Sequence, residues 1–189
     1  MNLPNKLTIA RVIAVPFYVA FMLISAIPYN YLWALALFGA ASITDMIDGK
    51  IARKQGLVTD LGKFLDPLAD KVLVSAALIC MVELGWTSSY LVIIIISREF
   101  IVSALRLAAA SSNDHTVIAA GIWGKLKTAF TMGAIAIMTL LHVLLNNFAV
   151  IDAGFPVGMI SDILMWISTV LTVISGVVYI VSYRHLLKG

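Results

Sequence analysis

The sequence predicts an all-α integral membrane protein of six transmembrane helices with both termini cytoplasmic, and three observations predict it. Of 189 residues, 61% are hydrophobic and only 12% are charged, and the mean hydropathy is +1.01. A soluble domain carries about a quarter charged residues, so too little polar surface remains here to coat a water-soluble globule. The apolar residues fall into six runs, each near the roughly 20 residues that span about 30 Å of hydrocarbon. The basic residues, finally, gather on alternate connections between those runs.

The runs cover residues 8–27, 31–44, 68–84, 89–110, 126–145 and 156–181. Pro16 lies inside the first and predicts a kink, tolerable where neighbouring helices satisfy the freed carbonyl. The second is short, yet helical spacing continues through 45–53, so its far end is polar rather than absent. Residues 6–27 have the basic start and apolar core of a secretory signal. The apolar run is long, however, and no small-x-small cleavage site follows it. No Pro/Gly/Ser linker, repeat or low-complexity tract divides the chain, so one domain over 1–189 is expected. Cys80 is the only cysteine; it sits in an apolar run, excludes a disulfide framework and reads as packing.

The connections at 28–30, 83–88 and 146–155 carry no Lys or Arg, and two of them carry an acid, Glu83 and Asp152. The opposite side receives Lys6, Arg11, Lys50, Arg53, Lys54, Lys63, Lys71, Lys125, Lys127, Arg184 and Lys188. Positively charged loops stay in the cytoplasm. Both termini and the second and fourth connections are therefore expected there, in a multi-pass protein of the inner (cytoplasmic) membrane. A net charge of +3 gives no reason to expect a nucleic-acid partner.

The chemistry concentrates around the second connection. Asp45 and Asp48 are three residues apart and Asp66 and Asp70 four apart, so on helices each pair shares one face. Consecutive spans joined by a short connection are antiparallel neighbours, which lets the four carboxylates converge at the cytoplasmic edge. Unpaired, each would cost about 2.5–3.5 kcal/mol at a helix centre and somewhat less near the interface; mutual repulsion would push protons onto some of them. Divalent cations remove both penalties. Hard oxygen donors without His or Cys suit Mg²⁺ or Mn²⁺, and two such ions can clamp a phosphate.

Simpler roles exist for the same residues. Asp66 before Pro67 could be a helix cap followed by proline at the first helical position. Asp45 and Asp48 could pair with Lys50, Arg53 or Lys71. Capping leaves the two matched spacings unexplained. Gly49, Ala52 and Gly62 would let a bulky ligand approach the backbone, or would let helices pack closely. Arg53 suits bidentate contact with a phosphate or a base edge.

The pattern D-x-x-D-G-x-x-A-R, eight residues, G-x-x-x-D-x-x-x-D, carried by Asp45, Asp48, Gly49, Ala52, Arg53, Gly62, Asp66 and Asp70, resembles the signature of the CDP-alcohol phosphotransferase family. That resemblance implies a six-span enzyme, commonly a homodimer, with its active site on the cytoplasmic side and two divalent ions between the four aspartates. It further implies that the CDP diphosphate bridges those ions and that Asp70 deprotonates the acceptor hydroxyl. The alkoxide then attacks the phosphorus next to the lipid and CMP leaves. The family's nucleotide contacts map onto Asn5, Lys6, Leu7 and Thr8, then Gly49, Ala52, Arg53, Thr59 and Gly62.

Within the family, the stretches at 1–11, 62–71, 98–106 and 124–128 are similar to those of the bacterial phosphatidylglycerophosphate synthase subgroup. This implies CDP-diacylglycerol as donor, sn-glycerol 3-phosphate as acceptor and phosphatidylglycerophosphate as product. The charges fit a phosphorylated acceptor, with Arg98, Arg106, Lys125 and Lys127 as its phosphate ligands. Arg98 and Arg106 are eight residues apart in the fourth span, about 80° around a helix. Arg98 falls near mid-membrane and must face the protein interior or a wet cavity; an internal pair of Arg98 with Glu99 or with another carboxylate is the simpler role. Lys125 and Lys127 could equally be only topological charges.

A sibling enzyme with another acceptor, inositol phosphate or phosphatidylglycerol, would differ only in acceptor-pocket residues. A cation transporter with an intramembrane acidic site would explain the aspartates but not Gly49, Ala52, Arg53 and Gly62 at their spacing. His115, His142 and His185 show no ligand spacing. The methionines and Trp33, Trp86, Trp123 and Trp166 read as packing residues and interfacial anchors.

Overall fold

Proline, glycine and the apolar runs between them set the helix boundaries. The computed structural model describes the backbone of residues 3–55, 60–111, 121–152 and 154–182, and the side chains of 9–44, 71–105, 121–152 and 154–182. Among the described residues every regular element is helical: α1 (Leu3–Leu23), α2 (Asn30–Gln55), α3 (Asp60–Glu83), α4 (Ser89–Ser111), α5 (Ile122–His142), a π-turn (Val143–Asn147) and α6 (Val157–Ser182). The six helices are those expected, with shifted ends. α1 starts earlier than its apolar run because Pro4 falls in the first turn, where a missing N–H is harmless. It stops at Leu23 rather than continuing to 27, since Pro28 disfavours helical backbone at the residue before it. Pro16 lies in the interior of α1.

Left-handed backbone appears at helix ends among the described residues. Leu84 N donates to Cys80 O at 2.9 Å, and Gly85 follows at φ 71°, a conformation glycine adopts without a Cβ penalty. Tyr29 takes φ 55° without that freedom and accepts the first bond of α2, from Trp33 N at 3.1 Å. The π-turn was not legible in the sequence. Its wider winding is set by Phe148 N donating to Val143 O at 3.2 Å, five residues back.

The chain forms two compact units, Met1–Leu84 with Ile135–Val157, and Gly85–Ala134 with Gly158–Gly189. In the first, α1 packs against both α2 and α3, and its core includes Tyr18, Met22, Phe38, Leu78, Met81 and Met138. Cys80 is free and buried there, as expected of a packing residue. The π-turn docks on the start of α2. Asn147 Nδ2 donates to Asn30 Oδ1 at 3.4 Å, and the rings of Tyr29 and Phe148 lie 5.8 Å apart.

The second unit is built inside out relative to a soluble protein. On α6 the buried positions include Ser161, Met165, Ser168, Thr172, Ser175 and Tyr179, while Ile163, Trp166, Val170, Val173 and Val177 are exposed. Hydroxyls face inward and aliphatic groups outward, the arrangement a hydrocarbon solvent favours. Thr131 Oγ1 and Ser168 Oγ share a hydrogen bond of 2.6 Å in the interior. α6 and the α5–π segment Ile122–Asn147 are each long and apolar enough to cross a membrane. Trp33, Trp123 and Trp166 are exposed, as anchors require, whereas Trp86 is buried packing.

If the outward face of α6 meets lipid, spin labels at Val170→Cys and Val177→Cys, in a Cys80→Ala background, will collide with dissolved oxygen far more than with a water-soluble nickel chelate. The measurement is power saturation in lipid vesicles. Greater access to the chelate at both positions would overturn the assignment.

Candidate active site

Both aspartate pairs lie on continuous helix. Asp45 and Asp48 are within α2, which runs to Gln55, and Asp66 and Asp70 are within α3, which begins at Asp60. The three- and four-residue spacings are therefore true helical neighbours, one face per pair. The start of α3 also decides against the capping role for Asp66: Asp66 and Pro67 fall inside the helix, not at its first turn. Pro67 leaves the carbonyl of residue 63 without its usual amide donor. Nothing but carboxylate oxygen is offered by the four aspartates, a donor set that fits Mg²⁺ or Mn²⁺.

The expected convergence of the four carboxylates lies outside the described side chains. So do the side chains of Asn5, Lys6, Leu7, Thr8, Gly49, Ala52, Arg53, Gly62 and Arg106, and Thr59 lies outside the described residues altogether. The register of α1 against α2 is nevertheless fixed by the Tyr18 and Phe38 rings, whose centroids are 6.0 Å apart. Seven residues make about two turns and return to nearly the same face. Seven back from Tyr18 is Arg11, and seven on from Phe38 is position 45, so the antiparallel pair puts these two at about the same level. Arg11 is 7% exposed. Treated in the sequence only as a topological charge, it is a buried cation engaged within the protein.

A second charged group is fully described within the second unit. Arg98 on α4 donates from Nη1 to Glu99 Oε1 at 3.1 Å and from Nη2 to Ser175 Oγ on α6 at 2.5 Å. Lys127 on α5 ion-pairs with the same Glu99 oxygen. Arg98 is 13% exposed at its side chain, Glu99 19% and Lys127 4%. The Arg98 chain crosses α6 over Gly176, where a Cβ would come within 3.1 Å of Arg98 Cγ; only glycine leaves that path open without displacement. The Arg98–Glu99 pair anticipated as the simpler role is present, and Lys127 joins it.

Glu99 and Lys127 each have further interactions within the protein, while Arg98 Nε is buried without a hydrogen-bond partner. An orphaned cationic donor in so dry a setting favours an anionic ligand. Lys125 is exposed, and Arg106 continues α4. Sequence reading named Arg98 and Lys127 but missed Ser175 and the bridging role of Glu99. Glu99 carried a signal, being an acid in the middle of an apolar helix; Ser175 carried none.

Among the described residues no three His, Cys, Asp or Glu side chains group as metal ligands. A groove of about 540 Å³ at the turn before α2, lined among others by Tyr29, Asn30, Tyr31 and Asn147, contains none of the expected site residues.

Known proteins match along nearly the entire chain. The chain is 41% identical to the CDP-diacylglycerol–glycerol-3-phosphate 3-phosphatidyltransferase of Bacillus subtilis, covering 99% of this chain and 97% of that one. With the enzyme of the same name from Haemophilus influenzae it shares 40% identity over 100% and 94% of the two chains. With that from Rickettsia bellii it shares 38% over 94% and 93%. The family model for CDP-alcohol phosphatidyltransferases matches residues 1–174, a stretch that contains both aspartate pairs, the buried Arg11 and the Arg98–Glu99–Lys127 group. By these matches and by its helical architecture, the chain belongs to the CDP-alcohol phosphatidyltransferase family.

Proposed function

We propose that this protein transfers the phosphatidyl group of CDP-diacylglycerol to sn-glycerol 3-phosphate, giving phosphatidylglycerophosphate and CMP. The observation that carries this reading is the pair of aspartate pairs on unbroken helix, in a chain aligned from end to end with enzymes named for that reaction. Residues 1–189 act as one catalytic domain, working as a homodimer. Six helices of 21 to 26 residues would each reach about 30–39 Å at 1.5 Å per residue, enough for six spans. Together with the one-sided lysines and arginines, this supports a multi-pass inner-membrane protein with cytoplasmic termini and a cytoplasmic active site.

Asp45, Asp48, Asp66 and Asp70 would hold two divalent cations, Mg²⁺ or Mn²⁺. When bound, these neutralise the diphosphate and stabilise the entering and leaving oxygens. Asn5, Lys6, Leu7, Thr8, Gly49, Ala52, Arg53, Thr59 and Gly62 bind the CDP-lipid, Arg53 through its forked guanidinium. Arg98, Arg106, Lys125 and Lys127 hold the phosphate of the acceptor. Asp70 takes the proton of the acceptor hydroxyl. That oxygen bonds to the phosphorus bearing the diacylglycerol, and the bond from this phosphorus to the oxygen of CMP breaks. Catalysis of this kind depends on charge neutralisation and in-line positioning more than on covalent chemistry.

Purified protein supplied with CDP-diacylglycerol and competing acceptors (glycerol 3-phosphate, inositol phosphate, serine and phosphatidylglycerol) should release CMP and form phosphatidylglycerophosphate. Activity should vanish in excess EDTA and return with Mg²⁺ or Mn²⁺. A product from another acceptor would reassign the substrate; full activity in EDTA would remove the metal proposal.

Asp70→Asn should separate binding from chemistry. Asparagine keeps one ligand oxygen but cannot accept the hydroxyl proton, so turnover should fall about 10²–10⁴-fold, the usual worth of a general base. CDP-diacylglycerol binding in the presence of metal should persist. Near-normal turnover, or loss of lipid-nucleotide binding as complete as in Asp45→Asn, would show that Asp70 is not a distinct base.

A further inference from the structure

We propose that Glu99 is a positioning residue for the acceptor: its carboxylate sets Arg98 and Lys127 at the separation that grips a phosphate monoester. The proposal rests on the reading that these two cations hold the acceptor phosphate. One oxygen, Glu99 Oε1, receives both Arg98 Nη1 and Lys127 Nζ. Two donors on one acceptor stand no more than about 6 Å apart, a gap that the oxygens of a single phosphate can bridge. Without the carboxylate, two like charges this poorly hydrated would repel. Lys127, with its side chain 4% exposed, would lose the carboxylate that holds it beside Arg98.

The surrounding residues fix the rest of the geometry. Ser175 Oγ accepts from Arg98 Nη2, and Gly176 gives the arginine a clear path across α6. The guanidinium is thus held at two of its nitrogens, from its own helix and from α6, while Nε stays buried without a partner. The residues come from α4, α5 and α6, and Arg98, Glu99, Lys127, Ser175 and Gly176 all belong to one compact unit. A phosphate monoester offers anionic oxygens to the Arg98 Nε that the protein leaves without a partner, and an acceptor lacking phosphate does not.

Glu99→Gln decides between positioning and simple charge compensation, because the two predict opposite signs. Removing the negative charge while keeping the shape makes the site one unit more positive. If Glu99 only dampened the field, glycerol 3-phosphate would bind more tightly. If Glu99 positions the cations, KM for glycerol 3-phosphate should rise on the order of tenfold or more, as when a charge-assisted contact is lost. The KM for CDP-diacylglycerol should stay within about twofold, since a donor contact is not involved. Inorganic phosphate, used as a competitive probe, should weaken in parallel. Glu99→Asp, which keeps the charge one methylene further back, should recover part of the loss, and it serves as the deciding variant should Glu99→Gln not fold.

A KM for glycerol 3-phosphate that is unchanged or lower in Glu99→Gln, while Arg98→Met and Lys127→Met raise it, would overturn the role of Glu99 and leave the acceptor reading intact. Unchanged acceptor kinetics in all three would overturn both.

Discussion

Charge cannot remain unpaired in hydrocarbon, and this constraint organises the molecule. Few charged residues are present, and the buried ones among the described side chains are informative. Arg11 is buried on a helix that packs against both aspartate-bearing helices. Arg98 and Lys127 share the Glu99 carboxylate across α4 and α5 in the second unit. Moving an ion into so dry an interior without a partner costs several kcal/mol, so each persists only with its partners in place. A site for a charged diphosphate and a phosphorylated alcohol needs such fixed charges. The same requirement that makes them expensive to bury makes them effective once buried.

The apolar majority does the complementary work. In the first unit large side chains such as Tyr18, Met22 and Leu78 fill the interior and hold α1 between its neighbours. In the second, hydroxyls and small residues take the inward positions, and the aliphatic side chains are turned out. Between helices surrounded by lipid there is little hydrophobic drive to associate; close approach and hydrogen bonds across the seam must supply it. The Thr131–Ser168 bond and the Arg98–Ser175 bond are two such links.

Helices were legible from the sequence because length and apolarity alone specify them in a bilayer. All six are found, and the polar extension of the second run through 45–53 is helical as expected. Their ends were less legible. The apolar stretch after Leu23 reads as helix by composition, but Pro28 turns the chain instead. The π-turn has no composition signature at all, since it depends on which carbonyl the amide of Phe148 reaches. The aspartate pairs were readable because their spacing is meaningful only on a helix, and helix is what the backbone supplies. Ser175 was not readable: its contact with Arg98 spans 77 positions in sequence, and a serine in an apolar helix looks like any other packing residue.

The inward positions of α6, from Ser161 through Met165, Ser168, Thr172 and Ser175 to Tyr179, recur at alternating steps of four and three. A stripe with that repeat indexes the helix like the teeth of a rack. Turning α6 about its own axis by a fraction of a turn would break the Thr131–Ser168 and Arg98–Ser175 bonds together, each costing roughly 1–3 kcal/mol when its groups are left unsatisfied. Sliding along the axis meets the same barrier until a whole repeat has passed. Any motion of α6 during a catalytic cycle is thereby confined to rigid tilting. The point where Arg98 leans on Ser175 then keeps its address through the cycle.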